Sequence, residues 1–443
     1  FSFGSPAVSH AAGARNRPLL DALLDLGADP EVMSVWENGP YSTLHRLVDG
    51  ATPESLELAE HVISRGAFLD LHTAAGLGRL DRVREILDAE PDRVSEAGPD
   101  GATPLHLARN VEVAALLLER GAEIDKRCLD HRSTAAMWAA GNRPEVLRFL
   151  AERGTTPDLY MAVLLDDVDL AARILDEDPA AIDVRVRFGR SHEHVGFGDK
   201  YVWTLHGAET PVELARVKGR AEMYAYLLDR SSPATRLLQA ARREEEDAMR
   251  EVFSSDPEVL VEMPAEDVCQ LLCASAVGTR VALEHGADPD ARDDGGATAL
   301  HHAAWRGLAD VIAALLEGGA NRQLRDRQYD ATPVGWANES GQRRIMEILL
   351  EHEPADLVDA SWLGDVARVS SLLKNDPSLA HTPEDGRASP LRGAAFMGHT
   401  EIVRLLLEYG ADPSVPNPSD GRTALDYARE RGHSGIVEML SDL

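Results

Sequence analysis

The sequence predicts an all-α protein built as a solenoid, in which short helix pairs stack side by side along nearly the whole chain. Three observations support this prediction. Variants of one segment, DGGATALHHAAWRGLADVIAALLEGGAN at residues 294–321, recur along the sequence. The units open with a helix-starting signal, and most of them close with a helix-stopping signal. One pair of short helices is too small to bury its own apolar face, so neighbouring pairs must stack.

Each unit begins with residues that start a helix. In Thr103-Pro104 and Thr332-Pro333, the threonine hydroxyl can cap the first turn. Proline suits the first helical position, because no N–H is needed there. The same signal predicts further units that begin at Thr134, Thr210, Thr298, Ser389 and Thr423.

The second half of a unit carries an apolar run with helical spacing, as in Val403, Leu406 and Leu407. The run ends at Gly410, which can adopt the left-handed conformation that stops a helix. A second form of the unit replaces the closing Gly-Ala with Asp-Pro or Glu-Pro. This form occurs in the segments that begin at Leu71, Leu159, Leu237 and Leu357.

These signatures resemble the ankyrin repeat. The resemblance rests on Thr103-Pro104-Leu105-His106 with Gly121-Ala122, and on Ser389-Pro390-Leu391 with Gly410-Ala411-Asp412. At the ankyrin period of about 33 residues, the chain would hold roughly 13 repeats. The resemblance implies β-hairpin fingers between the helix pairs and a polar C-terminal cap over residues 423–443. The long array is similar to the large stand-alone ankyrin proteins of bacteria.

The resemblance also implies a structural role for the histidines of the Thr-Pro-Leu-His position. In this family the imidazole hydrogen-bonds to the backbone of a neighbouring turn, so a catalytic or metal-binding role is not expected. The histidines concerned are His45, His72, His106 and His301.

The acidic composition disfavours two classes of partner. With 75 Asp and Glu against 45 Lys and Arg, the formal charge is −30, which opposes binding to nucleic acid or to anionic lipid. No apolar run is long enough to span a membrane. The charge can serve solubility alone, or it can attract a basic partner.

The cysteines and the first residues bear on the cellular location. Cys128, Cys269 and Cys273 are too few for a disulfide framework, so we expect a reducing compartment, the cytoplasm. The spacing of Cys269 and Cys273 favours buried packing over zinc binding. The chain opens without an initiator methionine or a signal sequence, so we expect the native N-terminus to precede Phe1.

The repeat pattern breaks over residues 183–209, where apolar residues alternate with arginines around a glycine-rich centre. The alternation predicts an enlarged hairpin insertion. The predicted organisation is therefore N-terminal repeats over residues 1–182 with a truncated first repeat, the hairpin over residues 183–209, and C-terminal repeats with a cap over residues 210–443.

The predicted hairpin concentrates acid, base and ligand groups. Its candidate catalytic residues are Glu193, His194, Asp199 and Tyr201, of which Glu193 and Asp199 could act as paired carboxylates on a polar substrate such as a sugar. His192 and His194 would lie on one side of an extended strand, but a metal ion would need a third ligand from elsewhere. We expect no cofactor.

The tryptophans form a second candidate site. In the ankyrin frame, Trp305 and Trp362 follow the small residue pair of the first helix, and Trp138 and Trp336 precede it. These positions would face a concave groove. The rings either pack against the next repeat or provide a stacking surface for a ligand. The full set of predicted ligand-binding residues is Trp36, Trp138, Trp203, Trp305, Trp336, Trp362 and Phe396.

Two functions follow from these sites. The first is a protein-interaction scaffold that holds a partner segment in an acidic groove lined by tryptophans, with a basic segment as one option. The second is a small-ligand or carbohydrate-binding protein, or a hydrolase- or lyase-type enzyme, with its site at the hairpin of residues 183–209. The fold alone does not identify the partner.

Overall fold

The computed structural model describes residues 7–33, 41–50, 52–186, 205, 210–350, 356–381, 389–417, 420–441 and 443. The described residues form short helices joined by turns and loops, as the sequence predicts. They divide into two compact units, Phe1–Ser231 (unit 1) and Ser232–Leu443 (unit 2). This boundary lies beyond the predicted hairpin insertion, after one further helix pair.

Unit 1 is a succession of helix pairs, each with a first and a second helix. Consecutive first helices contact each other along most of the unit. Short 3₁₀ turns follow some of the second helices, at Pro91–Ser95 and Pro179–Asp183, and another lies at Pro99–Gly101. The pairs are Ala7–Gly13 with Arg17–Asp25, Thr43–Gly50 with Pro53–Ser64, Leu71–Gly76 with Leu80–Ala89, Pro104–Leu107 with Val111–Glu119, Ala135–Ala139 with Pro144–Glu152, Leu159–Leu165 with Val168–Glu177, and Pro211–Val217 with Ala221–Arg230.

Unit 2 repeats the same arrangement. A short extra helix, Val259–Glu262, precedes its second pair, and a 3₁₀ turn lies at Pro377–Ala380. Its pairs are Pro233–Arg242 with Glu246–Ser255, Ala265–Leu272 with Ala276–Glu284, Ala299–Arg306 with Ala309–Glu317, Pro333–Glu339 with Arg343–Leu350, Leu357–Leu363 with Val366–Asn375, Pro390–Met397 with Thr400–Glu408, and Ala424–Arg431 with Ser434–Ser441.

The starts of the first helices follow the sequence signals. Thr134 accepts a hydrogen bond from the Met137 amide at 3.4 Å, and Thr210 accepts one from the Glu213 amide at 3.2 Å. Where the unit opens with Asp, the carboxylate caps the helix in the same way, and Asp70 accepts from the Thr73 amide at 2.8 Å. Each cap satisfies an amide that the helix cannot satisfy itself.

The two closing signals produce two different helix ends. Gly410 follows the helix Thr400–Glu408 with φ of 88°, and Gly319 follows Ala309–Glu317 with φ of 90°. In the other form of the unit, the Asp376 carboxylate accepts a hydrogen bond from the Ser378 amide at 3.0 Å, and Pro377 begins the 3₁₀ turn. Aspartate and proline thus end the helix where no left-handed glycine is present.

The apolar faces of the pairs join into continuous cores within each unit. In unit 1 the largest core extends from Leu71 to Leu227, and in unit 2 from Leu237 to Leu349. The predicted β-hairpin fingers do not appear as extended strands in the described residues, where an isolated antiparallel bridge joins Arg292 and Thr298. No helix within the described ranges has the length and apolar character that a membrane crossing requires.

Candidate functional site

Five consecutive first helices of unit 2 each carry an aromatic side chain at their centre or in their C-terminal half. Neighbours in this series, from Ala299–Arg306 to Ala424–Arg431, contact each other. Stacking similar elements therefore brings corresponding and nearby positions of successive repeats into a row. The aromatic residues of the row are Trp305, Trp336, Trp362, Phe396 and Tyr427.

All of these rings except Tyr427, together with the loops beside them, line a cleft of about 480 Å³, which we call the aromatic cleft. Its volume is within the range of small-molecule and side-chain binding pockets. Its wall combines five Trp, Tyr and Phe rings with a smaller number of polar side chains. The lining residues are His302, Trp305, Gln328, Tyr329, Ala331, Gly335, Trp336, Glu339, Trp362, Phe396 and Arg431.

The rings of the cleft contact one another mainly through edges and tilted faces. The Trp305 and Trp336 ring centroids are 6.0 Å apart with an interplanar angle of 79°, and those of Trp362 and Phe396 are 5.3 Å apart. The Tyr329 and Phe396 ring centroids are 5.9 Å apart. Such arrangements favour aromatic pairing. Trp305 is nevertheless 47% exposed, so much of its surface is open to a ligand.

The loop before the second helix of the row fixes Trp336. Asp326 is buried and accepts a hydrogen bond from Trp336 Nε1 at 3.0 Å. Its other oxygen accepts from the Gln328 and Tyr329 amides at 2.8 Å and 2.7 Å. One carboxylate therefore sets the position of the loop and of the indole together.

Trp362 forms the floor of the cleft and is only 5% exposed. It lies against Gly393, where a Cβ atom would come within 2.6 Å of Trp362 Nε1. The carbonyl of Trp362 accepts hydrogen bonds from His399 Nε2 at 3.1 Å and from Asn338 Nδ2 at 2.9 Å. The helix end that carries the ring is thus held by residues of both neighbouring pairs.

One cation lies at the rim of the cleft. The Arg431 guanidinium carbon is 4.2 Å from the centroid of the Phe396 ring, and the same guanidinium forms an ion pair with Glu339. Arg431 and Glu339 are the last residues of first helices that belong to non-adjacent pairs. The contact therefore extends over two intervening helix pairs.

Beneath the loops of unit 2 is a group of buried charges. Arg392 Nη2 contacts Asp330 Oδ2 at 3.1 Å, and both side chains are buried. Arg325 contacts Asp359 at 3.5 Å, and Thr332 Oγ1 donates to Asp359 at 2.8 Å. Burial raises the pKa of Asp330 and of Asp359 to about 6, although the arginines oppose this increase.

Asp359 gives unit 2 a specific pH dependence. Because the folded-state pKa of about 6 exceeds the ordinary value of 3.8, the native state binds this proton more readily than the unfolded state. The stabilisation from Asp359 is therefore complete below pH ~3.8 and is lost as the pH rises through ~6. The unfolding free energy of the wild type minus that of Asp359→Asn should fall between pH 4 and 7, measured by urea titration. A difference that does not change over this range would contradict the assignment.

The predicted site residues fall into three groups. Trp305, Trp336, Trp362 and Phe396 meet in the aromatic cleft. Trp138, in unit 1, is buried at 3% exposure and packs against the rings of His106 and His131 at 5.7 Å and 5.9 Å. The remaining candidates lie outside the described residues, namely Trp36, His192, Glu193, His194, Asp199, Tyr201 and Trp203.

The histidines of the Thr-Pro-Leu-His position hold neighbouring turns, as the family resemblance implies. His301 Nδ1 accepts from the Thr298 amide at 3.1 Å, and its Nε2 donates to the Ala331 carbonyl at 3.1 Å. Burial lowers the pKa of His301 to about 4, so the ring is neutral at pH 7. His106 makes the equivalent bond to the Ser133 carbonyl at 3.0 Å.

A variant of this arrangement brings together three groups that could hold a metal ion, His45, Asp70 and His72. The Ser42 amide donates to His45 Nδ1 at 3.2 Å, so a neutral His45 ring carries its proton on Nε2. That nitrogen is 2.9 Å from an Asp70 oxygen. Since the protonated nitrogen has no lone pair for a metal, we interpret the group as a hydrogen-bonded link between two pairs.

A second such group consists of Asp100, Asp130 and His131. His131 Nε2 is 3.6 Å from Asp100 and 3.8 Å from Asp130. Tyr41 also donates a hydrogen bond to Asp100. These contacts lie within unit 1, away from the aromatic cleft.

The cysteines are all buried and unbonded to one another. Burial raises the pKa of the Cys269 and Cys273 thiols to about 12. Their sulfur atoms contact the carbonyls of Ala291 and Ala299 at 3.0 Å. These thiols are inert packing groups, as their spacing suggested.

Sequence reasoning missed the polar residues of the cleft. Glu339 and Arg431 are 92 residues apart and meet only through the stacking of first helices. Asp326 and His302 carry a clearer signal. His302 occupies the same place after Thr298 that Trp336 occupies after Thr332, and each ring hydrogen-bonds an aspartate of its preceding loop.

The stacked pairs, with capped starts and glycine or Asp-Pro ends, define a repeat-array protein. The chain belongs to the ankyrin-repeat family: the model for ankyrin repeats in three copies matches residues 71–183, 265–360 and 357–443, which together exceed half of the chain. Ankyrin repeats generally bind protein partners.

Curated relatives share short segments with the chain. The probable E3 ubiquitin-protein ligase XBOS33 of Oryza sativa subsp. japonica is 46% identical over 85 residues, which cover 19% of this chain and 16% of the relative. The human NAD-capped RNA hydrolase NUDT12 is 40% identical over 78 residues, 18% of this chain and 17% of the relative. The E3 ubiquitin-protein ligase XBAT32 of Arabidopsis thaliana is 31% identical over 153 residues, 32% and 28% respectively. The chain thus spans less than a third of each of these relatives.

Proposed function

We propose that this protein is an interaction scaffold that binds a segment of a partner protein in the aromatic cleft of unit 2. The observation that carries the proposal is the placement of a half-exposed tryptophan, Trp305, beside Trp336 at the edge of an aromatic cleft. In a repeat array, the stacking of neighbouring helix pairs buries most large apolar side chains. A grouped set of aromatic rings that remains accessible is typical of a protein-binding surface, where tryptophan contributes strongly to affinity.

The charges around the cleft favour a basic partner. The chain has a formal charge of −30, and Glu339 contributes to the lining a carboxylate that is paired with Arg431. At the Trp305 end, Asp293 lies behind His302, whose Nε2 is 2.8 Å from the Asp293 carboxylate. Burial acts to raise the pKa of Asp293, but hydrogen bonds from His302 and the Ala297 amide lower this pKa overall. This carboxylate therefore stays ionised and adds to the negative potential that attracts a cationic segment.

The comparisons support binding as the role of the shared segments. XBOS33 and NUDT12 have different activities in their names, yet each resembles this chain over less than a fifth of its length. Similarity to short parts of proteins with different activities is more consistent with partner recognition than with one reaction.

Peptide selection tests the proposal. A library of random peptides displayed on phage is selected against the full chain, and the affinities of the enriched peptides are measured by calorimetry. We expect basic peptides whose affinity falls about thirtyfold or more in Trp305→Ala, because truncation of a tryptophan that anchors a partner costs about 2 kcal/mol or more.

The matched control is Phe68→Ala in unit 1, which removes a ring that is 59% exposed and outside the cleft. Its affinity for the same peptides should equal that of the wild type. If enriched peptides bind the wild type and Trp305→Ala equally well, the cleft is not the binding site.

A further inference from the structure

We infer that Phe396 and Glu339 form a seat for a guanidinium group, which Arg431 occupies in the free chain and which an arginine of the partner segment takes on binding. This inference rests on the proposed function, because it specifies which chemical group the aromatic cleft recognises. All three residues line the cleft, so the seat is continuous with the surface formed by Trp336 and Trp362.

The seat contacts a guanidinium group through both a ring and a carboxylate. The Phe396 ring lies under the guanidinium carbon at 4.2 Å, and the Glu339 carboxylate pairs with its edge. A planar cation can stack on a ring while its N–H groups donate in the plane to a carboxylate. An ammonium group cannot satisfy both contacts with the same geometry, which favours arginine over lysine.

The position of Arg431 distinguishes this contact from two arginine–aromatic contacts between residues four apart in sequence. Arg230 lies over Tyr226 in the same helix, and Arg153, the residue after the helix Pro144–Glu152, lies over Phe149. Those contacts are local consequences of helix geometry. Arg431 instead reaches a ring and a carboxylate on the first helices of two other pairs, at the rim of a cleft.

The contacts of Arg431 are open enough to be exchanged. The side chains of Arg431 and Glu339 are 37% and 26% exposed. Exposed ion pairs and exposed cation–π contacts are each weak. Together they would favour the bound position of the Arg431 side chain over its free position by only about 3- to 30-fold. A guanidinium from a partner that also contacts Trp305 and Trp336 can therefore replace Arg431 without unfolding the array.

The flanking groups support a cation rather than an anion in the seat. Gln328 and Tyr329 present neutral polar groups on the adjacent loop, and Asp326 behind them is ionisable and buried. Its oxygens accept from Trp336 Nε1 and from loop amides. Without Arg431, the seat would expose a carboxylate beside the negative face of an aromatic ring.

The test uses two small probes with the full chain, N-acetyl-L-arginine methylamide and its neutral isostere N-acetyl-L-citrulline methylamide. Binding is followed by tryptophan fluorescence and by ligand-observed NMR. We expect Arg431→Ala and Arg431→Gln to bind the arginine probe about 3 to 30 times more tightly than the wild type, because the internal competitor is gone. The citrulline probe should show no such gain. Adding Glu339→Gln to Arg431→Ala should remove the gain.

Arg429→Ala is the matched control, since Arg429 is an exposed arginine of the same helix and does not line the cleft. It should bind the arginine probe as the wild type does. Circular dichroism confirms that the C-terminal pair stays folded, and the glutamine variant keeps the side-chain length if the alanine variant does not fold. An equal affinity of wild type and both Arg431 variants, or an equal gain for citrulline, would overturn the inference.

The outcomes separate this inference from the proposed function. Trp305-dependent peptides that lack arginine, together with Arg431 variants that bind no better than wild type, would retain the scaffold and reject the guanidinium seat. A gain for the arginine probe without any Trp305-dependent peptide would retain the seat and reject the scaffold.

Discussion

Replacing Trp362 with alanine is expected to lower the unfolding free energy of unit 2 by about 3 to 5 kcal/mol. The Trp362 ring is nearly fully buried, packs against Phe396 and fills the space above Gly393. Its removal leaves a void between two helix pairs, because the helices on both sides are held by their own cores. Urea titration followed by circular dichroism measures the loss. Hydrogen exchange should show reduced protection in Leu357–Leu363 and Pro390–Met397.

The contrasting variant is Trp305→Ala, which removes the same kind of side chain from the exposed edge of the cleft. Its effect on stability should be far smaller, whereas its effect on peptide binding should be large. Equal losses of stability in the two variants would show that Trp305 is a structural residue, and would weaken the assignment of the cleft to partner binding.

Asp330→Ala is expected to destabilise unit 2 by about 3 to 5 kcal/mol, because it removes one partner of a buried ion pair. Arg392 lies 3.1 Å from Asp330, and its guanidinium cannot lose its proton to escape burial. The reciprocal variant, Arg392→Met, should cost less. Asp330 already has a pKa of about 6, so it can become neutral in the folded state. Urea titrations at pH 7 compare the two.

Glu347→Ala is the control for this pair. Glu347 forms an exposed ion pair with Arg344 on the helix Arg343–Leu350, so its loss should cost less than about 1 kcal/mol. If Asp330→Ala resembled Glu347→Ala, the Asp330–Arg392 contact would contribute little to the fold. If Arg392→Met lowered the unfolding free energy more than Asp330→Ala, the proposed neutralisation of Asp330 by protonation would be wrong.

Much of the fold was predictable because local sequence signals mark where the helices of each repeat begin and end. A threonine or aspartate cap, a left-handed glycine and an Asp-Pro end are local features, and each depends on residues within a few positions of it. The same register predicted the aromatic row, since Trp305, Trp336 and Trp362 occupy related places in successive first helices. Contacts between residues at corresponding repeat positions can be predicted from the repeat register alone.

The environment of each ring was harder to predict. Trp138 and Trp336 occupy the same position of the repeat, but Trp138 is buried beside His106 and His131, whereas Trp336 lines a cleft. The difference arises from loop residues that do not repeat. Arg431 and Glu339 show the same limitation, because their contact depends on how far the stack brings together pairs that are not neighbours. The candidate residues of the hairpin, from His192 to Trp203, lie outside the described part of the chain.

The contact between Arg431 and Glu339 has a consequence for local opening of the stack. In a linear stack each helix pair touches only its neighbours, so it can open by losing nearest-neighbour contacts alone. The Arg431–Glu339 contact joins the helix Ala424–Arg431 to a helix three pairs away, so opening this helix must also release the distant carboxylate. Displacement of Arg431 by a ligand would then loosen this helix, and binding to the cleft would be detected as faster hydrogen exchange in Ala424–Arg431.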